Sequence, residues 1–581
     1  MSRYTPRPLT ENEIEDIISG IEKMTYVIKS ATDLAQQEVK NLLRKQLSSI
    51  ELVPEAIPEM KRIIRNQYNR AVIEPQTPVG FLVSEALSQP ITQMTLNSVI
   101  GETEIVIAEN ETKEAKVVHI GEWIDGLLKE NKDKIVNIPE NRTEYLELEK
   151  PVLIPSTTCD GHSEWMELTA VTRHLPVGDL VKIRTRSGRE VTATSQKSFL
   201  VYDENQDKLV EKNGKDLKMG DYVGVHLGLE NDECCSTLEL QKYLPKTRWI
   251  YGSEIHKFKK LYDTDKVGRQ VPKDWWSKHR NISFIIPLGR NDSIVKSVEY
   301  NDFEDGMIYP KMSNIIKSKI PETIPLDIEF GYILGLYLAE GHANKTTVII
   351  SNNAKEILEP VEKWCKKYNL GYHIQVQHDK NFQGATSTDL RIHSTLLASL
   401  FKEMMGTGSP NKRIPSESLN GPEEFIIGII DGYISGDGSV SKQDGSISAS
   451  SVSKTLIMGI NFLLSKLGIL SKMSGTQSLK NNIGSKNILY THTISIRNTF
   501  SKIFADNIHL TSKSKHARIE NTTKIIRLRT PYGRWYKKWR DIVLDPIVSI
   551  ESIPSEDRNV YDVTVPKSLN FNIFNGLIMA D

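Results

Sequence analysis

Two kinds of apolar periodicity divide this chain. Near the start, Ile14, Ile17, Ile18 and Ile21 recur at helical spacing behind a capping run, Thr10-Glu11-Asn12-Glu13, and a second amphipathic stretch runs from Met60 to Tyr68. This predicts a small helical domain. The grammar changes inside Thr95-Leu96-Asn97-Ser98-Val99-Ile100-Gly101-Glu102-Thr103-Glu104-Ile105, between Asn97 and Ser98: upstream reads as one protein cut off in mid-element, downstream as the first strand of another. Pro176-Val177-Gly178-Asp179-Leu180-Val181-Lys182-Ile183 and Lys218-Met219-Gly220-Asp221-Tyr222-Val223-Gly224-Val225 each place a turn before an alternating strand. Ser187-Gly188 is a hairpin signal, with Val191 and Ala193 alternating beyond it. These predict a compact all-β body. Helical signal returns in Gly331–Gly341 and Ile430–Gly438, one pattern written twice. Each has two small residues four apart (Gly335 and Ala339; Gly432 and Gly436), then an acid, then a glycine expected to end the helix. Such a pair makes a flat stripe along which two helix backbones can approach closely. Packed together, the helices bring Glu340 and Asp437 to one end.

Two close carboxylates repel each other and favour a divalent cation, the arrangement expected for metal-assisted phosphodiester cleavage, with Mg2+ the expected ion and Glu340 and Asp437 its ligands. Composition changes this picture only locally. At 581 residues the chain has room for roughly three to five units. Formal net charge is +0, so nucleic-acid contact has to come from patches rather than a global field. One patch, within 231–320, mixes Lys246, Arg248, Lys257, Lys259 and Lys260 with Trp249, Trp275 and Trp276. It reads as an accessory lobe or a DNA-recognition insert. Another, within 501–540, holds Arg527, Arg529, Arg534, Lys537, Lys538 and Arg540 among Tyr532, Trp535, Tyr536 and Trp539. Phosphate neutralisation explains such a cluster, a solvated helix face being the plain alternative. Cys159, Cys234, Cys235 and Cys365 form no C-x-x-C pair, so neither a zinc knuckle nor a disulfide framework is suggested. With a polar start and no apolar run of membrane-spanning length, the expectation is an intracellular protein of cytoplasm or nucleus, not secreted and without a membrane partner.

Glu74-Pro75-Gln76-Thr77-Pro78-Val79-Gly80 and Ser88-Gln89-Pro90-Ile91-Thr92-Gln93-Met94-Thr95-Leu96-Asn97 resemble the largest subunit of multisubunit RNA polymerases, just before its trigger loop, where that family continues Thr-Phe-His. Ser98-Val99-Ile100-Gly101-Glu102-Thr103 resembles the opening block of inteins, and Val560-Tyr561-Asp562-Val563-Thr564-Val565-Pro566 with Phe571–Ile578 the two closing blocks. The resemblance implies splice junctions at Asn97, Ser98 and Asp581, with Ser98 attacking the preceding carbonyl to make an ester. Thr194 matches the family's T-x-x-H, but Lys197 stands where the histidine belongs. Asp562 matches the family's proton-shuttling acid. Ala580 replaces the penultimate histidine, Asp581 the terminal asparagine, and a family histidine is missing near Leu569-Asn570. Splicing needs no cofactor in this family. The paired helices resemble LAGLIDADG homing endonucleases, usually nested in inteins, and Lys412-Arg413-Ile414-Pro415 matches a block that would bring Lys412 to the scissile phosphate.

Together these resemblances imply a multidomain α+β chain. Residues 1–97 would be a short helical host fragment. An all-β horseshoe splicing domain would be split between 98–230 and 541–581. An α/β pseudo-twofold endonuclease would occupy 321–500, with 231–320 accessory and 501–540 a basic DNA-contacting segment. Implied partners are double-stranded DNA carrying the uninterrupted polymerase gene site, cut by a monomeric endonuclease, and other RNA polymerase subunits for the host fragment. The alternative is a polymerase fragment carrying a splicing-defective or inert insert.

Overall fold

The computed structural model describes residues 7–19, 29–48, 50–70, 98–139, 142–158, 160–196, 198–229, 235–244, 249–253, 304–310, 319–378, 386–478, 489–497, 499–523, 535–555 and 558–581. The chain divides into two compact units, 1–90 and 91–581. The polymerase-like motifs and Asn97 lie outside the described residues.

In the first unit, helices α1 (Glu11–Ser19) and α3 (Ile57–Arg70) follow the predicted periodicity, and α2 (Lys29–Leu47) is a helix the sequence reading did not predict. Ile14, Ile17, Ile18 and Leu47 are buried, with Leu43, Ile57, Met60 and Ile64 packed on them. The Thr10 amide donates to the Glu13 carboxylate at 2.9 Å, the reciprocal half of a capping box that starts α1.

The second unit combines helices with one large sheet whose strands come from both ends of the sequence. Its strands include β1 (Val99–Ile100), β2 (Ser163–His174), β3 (Leu180–Thr185), β4 (Glu190–Thr194), β5 (Phe199–Asp203) and β6 (Tyr222–His226). From the far end come β7 (Ile542–Ile553), β8 (Val560–Thr564), β9 (Asn570–Asn572) and β10 (Ile578–Ala580). All pairings among them are antiparallel. β7 runs between β3 and β6. β8 sits between β1 and β2, with Val560 opposite both Ile100 and His174. β10 pairs with β5 through Met579 and Phe199. Nearly every β8–β10 side chain is buried, so both faces of these closing strands are covered. Helix α4 (Ile120–Glu130) packs its Ile120, Ile124 and Leu128 face inward.

Between these strands lie two modules of like topology. Helix α5 (Ile328–Glu340) heads a sheet ordered Gly341–Ala343, Thr347–Ser351, Thr386–His393, Tyr372–His378. Helix α6 (Glu423–Asp437) heads Ser439–Val440, Ile447–Ser451, Leu489–Ile496, Lys472–Ser478 in the same order, with α7 (Lys454–Lys466) between its second and third strands in sequence. The small-residue stripe is one residue longer on each helix than the sequence pattern indicated. A Cβ on Gly331, Gly335, Gly428 or Gly432 would stand 2.0–2.3 Å from a carbonyl oxygen of the facing helix.

Gly341 and Gly438 end the two helices as the sequence pattern indicated. Their backbones are extended, at φ −94° and −69°, not left-handed caps. They are required for space instead: a Cβ on Gly341 would meet Tyr337 Cα at 2.5 Å, and one on Gly438 the Ile434 carbonyl at 2.5 Å.

Within 231–320, Leu238, Tyr251 and Ile308 are buried in a core continuous with that around α5. Within 501–540, two described parts lie against different elements. Helix α8 (Lys513–Thr523) lies against the α6 module, whereas Lys537–Trp539 pairs with β7 because Trp539 is buried against Leu200, Ile542 and Ile578.

Candidate functional site

Ser98 enters β1 buried, at 2% exposure. Its carbonyl accepts from the Thr194 amide at 2.8 Å. Its own amide donates to the Ser198 hydroxyl at 3.2 Å, and that hydroxyl lies 2.6 Å from the Thr194 hydroxyl. Ser198 also faces the other end of the chain, its carbonyl accepting from the Ala580 amide at 3.4 Å. One residue thus touches both the first residue of the sheet-forming region and the penultimate residue of the chain. Lys197 lies outside the described residues.

The group that meets the Ser98 hydroxyl is one the sequence reading missed. His174, the last residue of β2, places Nε2 2.7 Å from Ser98 Oγ, and its Nδ1 lies 2.9 Å from the Leu175 carbonyl. A carbonyl only accepts, so Nδ1 carries the hydrogen. In the neutral ring Nε2 is then the acceptor. Burial pulls His174 below the ordinary imidazole range, only partly offset by the Leu175 carbonyl, so the ring is neutral near pH 7.

Asp562 of β8 stands opposite Thr172, on the face of β2 that carries His174. Burial, and then the neighbouring Asp581 carboxyl, hold it well above the usual carboxylate range. Its Oδ1 is buried without a hydrogen-bond partner among the described residues. Burial likewise pushes Asp581 up to about 7, although its carboxylate accepts from the Val565 amide. Near the missing family histidine, Asn570 instead ties β9 down. Its side chain accepts from the Thr157 amide at 3.0 Å and donates to the Thr157 carbonyl at 2.8 Å.

Glu340 and Asp437 end α5 and α6, and the glycine stripe brings them together. Burial raises both, and Asp437 raises Glu340 further. Two lysines flank them symmetrically. Lys412 Nζ donates to the carbonyls of Tyr337, Leu338 and Ala339 at 3.0, 2.9 and 3.3 Å, ending α5. Lys515, on α8, does the same for Ile434, Ser435 and Gly436 at 3.0, 2.7 and 2.9 Å, ending α6. Burial lowers both lysines, Lys412 to about 8, against the pull of the two acids. Three helix carbonyls thus take up the Lys412 hydrogens. Lys515 falls within the basic 501–540 stretch but was not singled out from the sequence. The signal that could have found it is its place after the second acid, matching Lys412 after the first.

Of the proposed DNA-binding residues, Arg527, Arg529 and Arg534 lie outside the described residues. Lys537 pairs with Glu204 and lies over the Tyr222 ring, and Arg540 pairs with Asp160 at 3.1 Å. Lys537 and Lys538 belong to a strand of the large sheet and Arg540 to the turn that leads from it into β7, not to the paired-helix modules. Among the described residues no three His, Cys, Asp or Glu side chains cluster as a metal-binding group, and no helix is long and apolar enough to cross a membrane.

Comparison with known proteins adds the following. The profile of the family described as "Intein splicing domain" matches residues 105–580. The chain is 28% identical over 456 residues to DNA-directed RNA polymerase subunit Rpo1C of Methanocaldococcus jannaschii, a span of 78% of this chain and 43% of that protein. It thus spans less than half the length of that curated relative. Among solved structures, a transcription factor IIB mini-intein (Mvu) aligns with 23% of this chain and 72% of its own, at 26% identity and TM-score 0.21. A mesophilic variant of the homing endonuclease I-DmoI aligns with 34% of this chain and 98% of its own, at 16% identity and TM-score 0.25.

Proposed function

Because this chain belongs to the intein splicing-domain family, we propose that residues 98–581 excise themselves from a host polypeptide, and that the α5–α6 modules cleave double-stranded DNA. The observation that carries the splicing reading is Ser198, whose side chain binds the Ser98 amide while its carbonyl binds the Ala580 amide. A reaction that cuts at both ends and joins what lies outside needs those ends side by side. In the proposed path Ser98 Oγ attacks the preceding peptide carbon, exchanging an amide for an ester. The residue following Asp581 takes the acyl group, and the Asp581 carboxylate attacks its own carbonyl to free the insert as an anhydride that hydrolyses. The ester between the joined flanks then rearranges to a peptide. Ala580 offers no side-chain donor to the last carbonyl, so the final cut is the slow step.

In the nuclease reading, Glu340 and Asp437 supply hard oxygen donors whose affinity for protons is raised by burial, and for Glu340 further by Asp437; a paired-carboxylate site of this kind fits a divalent ion such as Mg2+. When bound, that ion supplies Lewis-acid stabilisation of phosphodiester hydrolysis. Lys412 and Lys515 hold the helix ends that carry the acids. One chain contributes both acids, so the enzyme acts as a monomer. The host reading rests on the Glu74–Asn97 motifs and the alignment with the polymerase subunit. On that reading the protein works inside the cell, with other polymerase subunits as partners of residues 1–97.

Extending the chain with Thr-Phe-His and a reporter domain tests the splicing reading. A free insert and joined flanks should appear on a gel, and Ser98→Ala should abolish both. Absence of any excised insert from the parent sinks it. A plasmid carrying the uninterrupted polymerase site should be cut with Mg2+ but not with chelator or with Glu340→Gln. An uncut plasmid sinks the nuclease reading.

A further inference from the structure

We propose that His174 is the base that takes the Ser98 hydroxyl proton in the first step. The inference deepens the splicing reading and rests on it. A serine hydroxyl is a weak nucleophile, and the family's usual histidine position holds Lys197, a side chain cationic at neutral pH unless desolvated. The structure supplies an imidazole from elsewhere. Ser98 and His174 are 2% and 1% exposed, so neither Oγ nor Nε2 is shared with bulk water. The Leu175 carbonyl fixes the tautomer with its lone pair on the hydroxyl, the part a third group plays in catalytic triads. The titratable groups on the same face of the neighbouring closing strand and chain end are Asp562 and Asp581. Arg173, next to His174 on β2, faces the opposite side and is held by Asp125 and Glu144.

The step balances within these groups. As Oγ bonds to the peptide carbon preceding Ser98, its proton passes to Nε2. As the carbon–nitrogen bond breaks, the imidazolium returns that proton to the Ser98 nitrogen. An amide and a hydroxyl become an ester and an amine, with no atom gained or lost. The Ser198 hydroxyl, already accepting from the Ser98 amide, holds the leaving nitrogen in place.

Hydroxylamine cleaves esters and spares amides, so it releases residues 1–97 at the rate of ester formation when saturating. In the full chain, His174→Gln should slow release at least about a hundredfold at pH 7. Ser98→Cys added to His174→Gln should recover most of it, because a thiol with pKa about 8.5 supplies its own thiolate. A structural defect would not be rescued this way. On the parent chain, the rate should rise with pH through a single ionisation below about 6.5 and then level off, a readout independent of whether any variant folds. Release by His174→Gln within about threefold of the parent, no recovery by the cysteine, or a parental rate that does not fall as pH drops below about 6.5 would each overturn the assignment. If the parent releases nothing, or Ser98→Ala releases as much as the parent, the splicing reading itself fails.

Discussion

Gly335→Ala tests whether backbone contact between α5 and α6 sets the geometry of the paired acids. The new Cβ would lie 2.0 Å from the Ile429 carbonyl oxygen, 2.8 Å from its carbon and 2.9 Å from its Cα. The closest common C···O approach is roughly 3.3 Å, so the helices must part by on the order of 1 Å. The obstruction is backbone in a regular helix and cannot rotate away, which places the cost at the top of the overpacking range, about 3 kcal/mol. Tenfold per 1.4 kcal/mol makes that about a hundredfold loss of amide protection in α5 and α6 by hydrogen exchange. Because Glu340 and Asp437 close the same stripe, plasmid cleavage should fall with it. Ester formation at Ser98 should not, since that site is built by β1, β2 and the closing strands. Gly126→Ala is the matched control. Gly126 lies inside α4 with nothing within 4 Å of an added Cβ, so the change should stabilise by up to about 1 kcal/mol. The reasoning is refuted if Gly335→Ala keeps parental protection and cleavage, or if it depresses ester formation as much as cleavage.

Other predictions follow from single contacts. Lys515→Met removes the donor to three carbonyls ending α6 and a cation beside Asp437, and should cut plasmid cleavage at least about tenfold while Ser98 chemistry persists; gel assays of both activities decide it. For Asp581, the folded value of about 7 lies above the unfolded value of about 3.9, so its favourable contribution is full below pH 4 and drains away as pH rises through 7. Asp581→Asn mimics the neutral form, so its melting temperature should gain on the parent between pH 4.5 and pH 8; equal pH dependence would contradict the buried-carboxyl reading. Arg189→Met strips hydrogen bonds from the Asn575 and Ser471 carbonyls and from Asn461, and leaves buried Asp545 without its nearby cation. It should lower unfolding free energy by about 3–5 kcal/mol in urea titrations.

What the sequence disclosed followed the range of each signal. The α5–α6 pair was legible because helix periodicity is local and the small-residue–acid–glycine pattern occurs twice. The capping run before α1 was legible for the same reason. Gly331 and Gly428 escaped notice because a third glycine at the same spacing looks like ordinary composition until the facing carbonyl is seen. His174 carried no local mark. It ends a plain alternating strand, 76 positions from the serine it meets, and only the pairing of β8 between β1 and β2 brings the two together. Residues such as Val560 and Ile100, opposite each other in the sheet, share no periodicity that could predict their meeting. Resemblance alone suggested it.

The arrangement at Arg189 bears on how separable the two proposed activities are. Its fully buried guanidinium reaches from the β3–β4 hairpin to the Ser471 carbonyl before the Lys472–Ser478 strand of the α6 module, to Asn461 on α7, and to the Asn575 carbonyl before β10. Backbone contacts reinforce the joint. The Met473 amide donates to the Ser187 carbonyl at 2.7 Å, and the Gly228 amide to the Ser465 carbonyl at 2.8 Å. Gly188 is required there, since a Cβ would lie 1.9 Å from the Met473 carbonyl at a backbone φ of +83°. A nuclease module merely tethered to the sheet would need none of these contacts. An unpaired buried guanidinium is costly, so the sheet that holds Ser98 and Asp581 is completed by the α6 module rather than closed beneath it. The loop before β10 therefore feels both bodies. Loss of α6-module packing should reach the closing strand before it reaches Ser98, which is held by His174 of β2, Thr194 of β4 and Ser198 just before β5.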